Sequence, residues 1–291
     1  MVTVIDGLSL GAIYALIALG YTMVYGIAKM LNFAHGDIIM VGAFAIFVTF
    51  STLGQPVVAI LAAVVICTAL GVIVERLAYR PLRTASPLAV LITAIGVSYL
   101  LQGIAQLIFG AGNNPVNFMS ALGVVSFELF GSQINIAWSS ILTIALGTVL
   151  MVGLTLFVKF TRTGRAMRAV SEDRGAATLQ GIDANKIIMI TFAIGSFLAA
   201  FASLFYLSKT PVNPTFGSMP GIKAFTAAVI GGIGSIPGAM LGGILLGMIE
   251  TICLSIPAIS SYTTAIEFSV LIIILMIRPI GLLGKKRGVK V

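Results

Sequence analysis

The chain has 291 residues, 59% of them hydrophobic and 9% charged, and a net charge of +8. A soluble domain is nearer a quarter charged, so this composition excludes a water-soluble globule and leaves most of the surface facing lipid. The basic excess does not indicate nucleic-acid binding, because lysines and arginines gather at a few membrane boundaries, as the positive-inside rule requires.

A helix needs about 20 apolar residues to cross the hydrocarbon. The apolar runs predict spans at about 4–27, 36–53, 56–78, 88–110, 136–158, 187–208, 221–236, 238–256 and 262–280, eight to ten crossings in all. The alternating segments of an outer-membrane barrel are absent, so the backbone must be satisfied inside helices. The predicted fold class is all-α: a polytopic transmembrane helix bundle, with residues 1–291 as a single transmembrane domain. The opening MVTVIDGLSLG has no basic n-region or A-x-A site and reads as a retained first span.

In the first span, Tyr14, Tyr21 and Tyr25 fall on a common face. The stretch GIAKMLNFAHGDIIMVGAF at 26–44 follows, with the only histidine of the chain, His35, two residues before Asp37. Asp37 is expected in the first turn of the second span, where a negative charge meets the positive end of the helix dipole. Gly36 gives a tight start there, and Asn32 or His35 can close local hydrogen bonds. This group reads as a capped helix start or as a gate. Serine-protease, paired-aspartate, zincin and P-loop patterns are all missing, so no catalytic residue, metal or cofactor is predicted. Cys67 and Cys253 lie in apolar spans without metal or disulfide spacing.

In the span 88–110, Ser98, Gln102 and Gln106 stand at i, i+4 and i+8 on one face. With Tyr14 and Tyr21 they are candidates to line a path. The reading that competes with this, and that helix packing in lipid favours, is hydrogen-bonding glue between helices. The connection 111–135 contains no lysine or arginine and is assigned to the outside.

The loop 159–186 is the most informative polar segment. Residues 165–180 are predicted to form a short helix with an Arg168–Glu172 pair at i,i+4, and Gly181 suits its C-terminal stop. Such a helix reads as a docking element or as a solvated connector. Further on, 221–236 is short, carries Gly231, Gly232 and Gly234, and precedes Pro237, so it is expected to be a half-helix or a re-entrant piece. Gly234, Gly238 and Gly242, with Gly243 and Gly247, place small residues on helix faces for close packing or for a moving interface. Glu250 and Glu267 are acidic residues within apolar spans, which costs about 3 kcal/mol or more near the bilayer centre. They read as anchors near the outer interface or as proton-coupling groups.

Orientation follows from the basic residues. Lys29; Arg76, Arg80 and Arg83; Lys159, Arg162, Arg165, Arg168, Arg174 and Lys186; and Arg278, Lys285, Lys286, Arg287 and Lys290 are fifteen of the seventeen, all on one side, with Lys209 and Lys223 on the other. The N-terminus is therefore predicted outside and the C-terminus in the cytoplasm.

Several motifs occur in order along nearly the whole chain. They are Gly20-Tyr21-x3-Tyr25-Gly26, Asn32-Phe33-Ala34-His35-Gly36-Asp37, Glu75-Arg76 and Tyr79-Arg80-Pro81-Leu82-Arg83. Next come Gly164-Arg165-Ala166-Met167-Arg168-Ala169, Glu172-Asp173, Ala176-Ala177 and Gly181-Ile182-Asp183, and at the end Arg278-Pro279-x-Gly281-Leu282-x-Gly284. Together they resemble the H-type permease subunits of ABC importers for branched-chain amino acids. The resemblance implies a bacterial plasma-membrane complex with a second homologous permease, two ATP-binding subunits that hydrolyse ATP, and a periplasmic or lipid-anchored substrate-binding protein. It also implies that the cytoplasmic loop inserts into an ATPase cleft. That assigns coupling to Arg165, Arg168, Glu172 and Gly181, although Glu172 is separated here from Ala176-Ala177 by three residues. The implied substrates are leucine, isoleucine and valine, and related permeases serve urea or short amides. A proton-driven secondary transporter is the runner-up; the inverted repeat expected for one is not evident in the sequence.

Overall fold

The computed structural model describes residues 2–116, 123–129 and 132–284; the basic tail from 285 lies outside them. The order is α1 (Val2–Ala28), α2 (His35–Leu53), α3 (Pro56–Val74) continued by a π-helical turn Glu75–Tyr79, α4 (Pro87–Phe109), a hairpin of β1 (Val124–Leu129) and β2 (Ser132–Ala137), α5 (Trp138–Phe160), α6 (Arg162–Glu172), α7 (Arg174–Leu179), α8 (Ala184–Leu207), α9 (Ser218–Gly231), α10 (Ile236–Ser255) and α11 (Thr263–Ile277). Among the described residues, eight helices are long and apolar enough to cross a membrane. The predicted bundle is therefore present. The antiparallel hairpin, with Val124 opposite Ala137, is an addition to it.

Local chemistry sets the helix ends. Ser86 caps α4 by accepting the Ala89 N–H, with Pro87 behind it. Ser235 caps α10 in the same way through the Gly238 N–H, followed by Pro237. Gly54 closes α2 in the left-handed region at φ 65°, where glycine carries no Cβ penalty.

Helix α1 is buried on every side from Ser9 to Val24, which makes it the core of the bundle. It runs antiparallel to α10: Gly7 meets Met248, Gly11 meets Ile244, and Ala15 meets Gly243. The glycines of α10 sort onto two sides. Gly243 and Gly247 receive α1, while Gly238 and Gly242 receive Gly231 and Ala227 of α9. Small residues let the backbones close up, and dispersion and packing then hold helices together in lipid.

Two faces follow from the contacts. The end of α1 meets the turn before α10 through Gly26 and Gly234. Leu282 and Leu283 donate backbone N–H bonds to Ile230 and Gly231 at 2.8 and 2.9 Å. Helix α6 lies against α1 and α8, and Arg83 bonds to Asn185 at the start of α8. Residues 80–86, 162–183, 232–235 and 278–284 thus share one face. The N-terminus, tied by Ser140 to Asp6 at 3.2 Å, is on the other, with the bridge between Asn114 and Val212.

Helices α1–α4 and α8–α11 form two sets of the same order and opposite sense. In each set the first helix crosses, the chain turns back into the bundle, and the next helix starts in the interior. Residues 29–34 lead inward to α2 from one face, and 210–217 lead inward to α9 from the other. The related sequence is short: Asn32-x3-Gly36-Asp37 and Asn213-x3-Gly217-Ser218.

Gly11→Ala sets a methyl 2.8 Å from the Ile244 Cα and should lower stability by about 1–3 kcal/mol, read as a fall in melting temperature of the detergent-solubilised protein. Gly153→Ala, with nothing within 4 Å, should leave it unchanged or slightly raised. Equal melting temperatures for the two variants would refute the α1–α10 glycine contact as a stability determinant.

Candidate functional site

The starts of α2 and α9 meet inside the bundle. Gly36 and Gly217 touch backbone to backbone, so that a Cβ on either would collide with the other's carbonyl. Asp37 follows in the first turn of α2 and is 2% exposed. Its carboxylate accepts the Ser98 hydroxyl and, at 2.8 Å, the Gln102 side-chain N–H. The Gln102 amide also reaches Ser218 Oγ, the first residue of α9, at 3.3 Å. The Asp37 side chain therefore ties α2 to α4, and Gln102 carries the tie on to α9.

His35 is 1% exposed. Its imidazole sits where Gly20 of α1 and Gly195 of α8 leave room, edge-on to Tyr21 with ring centroids 5.0 Å apart. Among the described residues Nε2 has no hydrogen-bond partner. Asn32 accepts the Tyr79 hydroxyl at 2.8 Å, which holds the inward lead of α2 against the end of α3. Tyr21, Asn32, His35, Gly36, Asp37, Ser98 and Gln102 thus converge. Gln106 does not join them, being exposed to the outside of α4.

Tyr14 belongs to a second cluster. Its hydroxyl donates to Glu250 Oε2 at 2.7 Å. The Lys223 ammonium of α9 donates to Glu250 Oε1 at 2.7 Å and to Glu267 Oε1 at 3.2 Å. Lys223, counted with Lys209 on the outer side, lies within α9 and is 8% exposed, so it is an interior group and not a boundary charge. The two glutamates are likewise not anchors reaching the interface. Glu267 is 1% exposed, and both turn inward to the one ammonium, because a carboxylate in hydrocarbon needs a partner.

The polar segment Arg162–Leu179 is helical, but broken. Asp173 leaves the helical region and caps α7 by accepting the Ala176 N–H at 2.9 Å, so the predicted helix 165–180 is two pieces. The expected Arg168–Glu172 pair is not formed among the described residues. The Arg168 guanidinium instead donates to the Lys159 carbonyl at 3.2 Å and that of Arg165 to the Phe160 carbonyl at 3.3 Å, satisfying the open C-terminus of α5. Met167, Val170 and Ala177 are buried beneath the segment, while Arg165, Arg168, Glu172 and Gly181 lie on its exposed side. Gly181 adopts φ 81°, and the nearby Leu179 is 92% exposed. Beside it, Arg83 pairs with Glu75; burial draws its guanidinium below the ordinary arginine range, and the Glu75 carboxylate opposes that shift.

Removing one member of a buried ion cluster strands the others. Lys223→Met should cost about 3–5 kcal/mol, read as lost accumulation and a lower melting temperature. Adding Glu250→Gln and Glu267→Gln should restore most of the loss. A Lys223→Met protein as stable as the wild type would show that the ammonium does not hold these helices together.

Comparison with known proteins places the chain in a family. The profile of the family described as branched-chain amino acid transport system / permease component matches residues 3–277. The chain is 41% identical to the high-affinity branched-chain amino acid transport system permease protein BraD of Pseudomonas aeruginosa, over 99% of this chain and 96% of BraD. It is 41% identical to the corresponding permease protein LivH of Escherichia coli K12, over 98% and 96%. A solved structure described as an inward-facing conformation of an ABC transporter of the metal-chelate type shares the fold, with a TM-score of 0.52, 15% identity, and coverage of 94% of this chain and 85% of that one. A full-length profile match, full-length relatives and a shared bundle agree: the chain belongs to the family of branched-chain amino acid transport system permease components.

Proposed function

We propose that this permease forms half of the membrane pathway of an ATP-driven importer of leucine, isoleucine and valine. A second homologous permease supplies the other half, two separate ATP-binding subunits hydrolyse ATP, and a soluble or lipid-anchored binding protein delivers the substrate. The observation that carries this reading is the segment Arg162–Leu179. It buries Met167, Val170 and Ala177 against the bundle and turns Leu179 and a row of charges outward. An exposed leucine on a charged surface fits a cleft in a partner. The face bearing this segment is taken as cytoplasmic, because Arg80, Arg83, Arg162, Arg165, Arg168, Arg174 and Lys186 crowd it. The N-terminus and the hairpin then lie outside, where the binding protein docks.

Docking makes a sharp expectation. Arg165, Arg168, Glu172 and Leu179 sit outside the core, so changes there should leave insertion and melting temperature intact. Contacts buried against a partner weigh more: truncating a hydrogen-bonded interfacial charge costs about 2–5 kcal/mol. Glu172→Lys and Leu179→Asp should therefore accumulate normally but lose most co-purifying ATPase, with uptake falling in proportion. Gly181→Val should do the same, since its backbone is left-handed. Normal ATPase recovery and normal uptake for all three would reduce the segment to a solvated connector.

The energy source is tested separately. Uptake in vesicles holding ATP should survive collapse of the proton gradient. The Lys223–Glu250–Glu267 cluster supports a structural role for both glutamates. Loss of uptake on gradient collapse, with ATP maintained, would favour proton coupling instead.

A further inference from the structure

Above the junction of α2 and α9, the seam between α2 and α4 opens into a cavity of about 310 Å³, inside the range of small-molecule pockets, roughly 300–1,000 Å³. Val41, Phe44 and Ala45 of α2 and Leu101, Ala105 and Phe109 of α4 form most of its wall, with Phe44 and Phe109 stacked at 4.2 Å. These positions continue the faces that carry Asp37 and Ser98. Val41 is one helical turn beyond Asp37, and Leu101 and Ala105 stand one and two turns beyond Ser98 on α4. The cavity is open on its side at Val48, Ile104 and Ile108.

The polar end differs from every other buried charge described here. The Lys223 cluster and the Arg83–Glu75 pair hold their own counter-ions. Asp37 has only neutral donors, Ser98, Gln102 and its own backbone N–H, and no cation among the described residues. A carboxylate can accept about four hydrogen bonds, so three donors leave capacity for another. An ionisable group in a membrane span with no counter-ion among its partners marks a candidate ligand contact.

We infer that Asp37 and the apolar α2–α4 cavity form a transit site for the substrate within the permease, taking the α-ammonium of an aliphatic amino acid on the Asp37 carboxylate and its branched side chain between Val41, Phe44 and Ala105. This rests on the transport reading above and adds a subsite to it. Gln102 and Ser98 are positioning residues: they hold the carboxylate in place, one helical turn from Val41 at the cavity's end. The site selects an ammonium and an aliphatic chain, and makes no demand on the α-carboxylate.

The test uses the whole transporter in lipid nanodiscs, with the binding protein omitted so that only the permease can bind. Leu101→Cys reports occupancy through its rate of labelling by a small thiol reagent; Cys67 and Cys253 are both buried. Leucine and isoamylamine, which lacks the carboxylate, should each slow labelling, while 4-methylpentanoate, which lacks the ammonium, should not. Asp37→Asn should weaken the protection about tenfold or more in ligand concentration, the loss expected for a charge-assisted hydrogen bond. Should that variant fail to assemble, Val48→Phe, at the exposed rim, should weaken protection by leucine more than by ethylamine. Protection by the acid as strong as by the amine, or no protection at all, would leave a lipid-filled groove and overturn the site. ATP-driven leucine uptake by the wild-type complex, measured in proteoliposomes with the binding protein, separates the two claims. Uptake without protection overturns the subsite alone, and absence of uptake overturns the transport reading and the subsite with it.

Discussion

The structure depends on one contact, the meeting of Gly36 and Gly217 in the interior. Two helices begin there, each at the end of a segment that has turned back into the bundle from an opposite face. Helix starts leave N–H groups without intrahelical partners, and lipid supplies none, so irregular backbone survives only where protein covers it. That requirement explains the surroundings. Helices α1, α8 and α10 approach closely enough to enclose the two leads, and they do so with Gly20, Gly195, Gly243 and Gly247 at the contacts. The two positive dipole ends also face each other. A carboxylate beside them offsets part of that repulsion, and Asp37 stands in the first turn of α2.

Each interior helix is then held to the last helix of its own set by polar bonds. Asp37 links α2 to Ser98 and Gln102 of α4; Lys223 links α9 to Glu267 of α11. Helices α4 and α11 have few other buried residues. Their outer surfaces are apolar and open, and the polar ties decide where they sit. A displacement of either outer helix must stretch its tie or carry the interior helix along. Helix α6 lies on α1 and α8, the two helices that enclose His35, so the exposed segment and the junction share a scaffold. That contiguity defines the two ends of any coupling. Its energy is a separate quantity, read from ATPase association and uptake rather than from adjacency.

Hydropathy made the spans legible, and glycine and proline around 231–237 marked the short helix. What failed to show in the sequence failed for identifiable reasons. Charge counting sorts a lysine by side of the membrane and not by partner, so it missed the role of Lys223; its partners lie 27 and 44 residues away, and only the tertiary fold brings them together. Eight residues along a helix turn the side chain by about 80° beyond whole turns, which is why Gln106 leaves the face that Ser98 and Gln102 share. The Arg168–Glu172 pair lost to a nearer acceptor, the free carbonyls ending α5. The antiparallel repeat retains little sequence because packing constrains only the positions where backbones touch. Asn32-x3-Gly36 and Asn213-x3-Gly217 are the signal that was available.

The balance of buried charge bears on how such a pathway handles a zwitterion. With all groups ionised, one lysine and two glutamates in the α9–α11 cluster sum to −1, and Asp37 adds another −1. On that count the described interior carries negative charge at two places, with no free cation among the described side chains to compensate it. An amino acid crossing it meets attraction at its ammonium and repulsion at its carboxylate, which fixes which end leads toward α2. A carrier must also release what it binds, so contacts strong enough to select and weak enough to leave serve it best. The proposed transit site, with one charge-assisted contact in an apolar cavity that stays open on one side, would meet that condition; a site with full complements for both charged groups would hold the substrate instead of passing it.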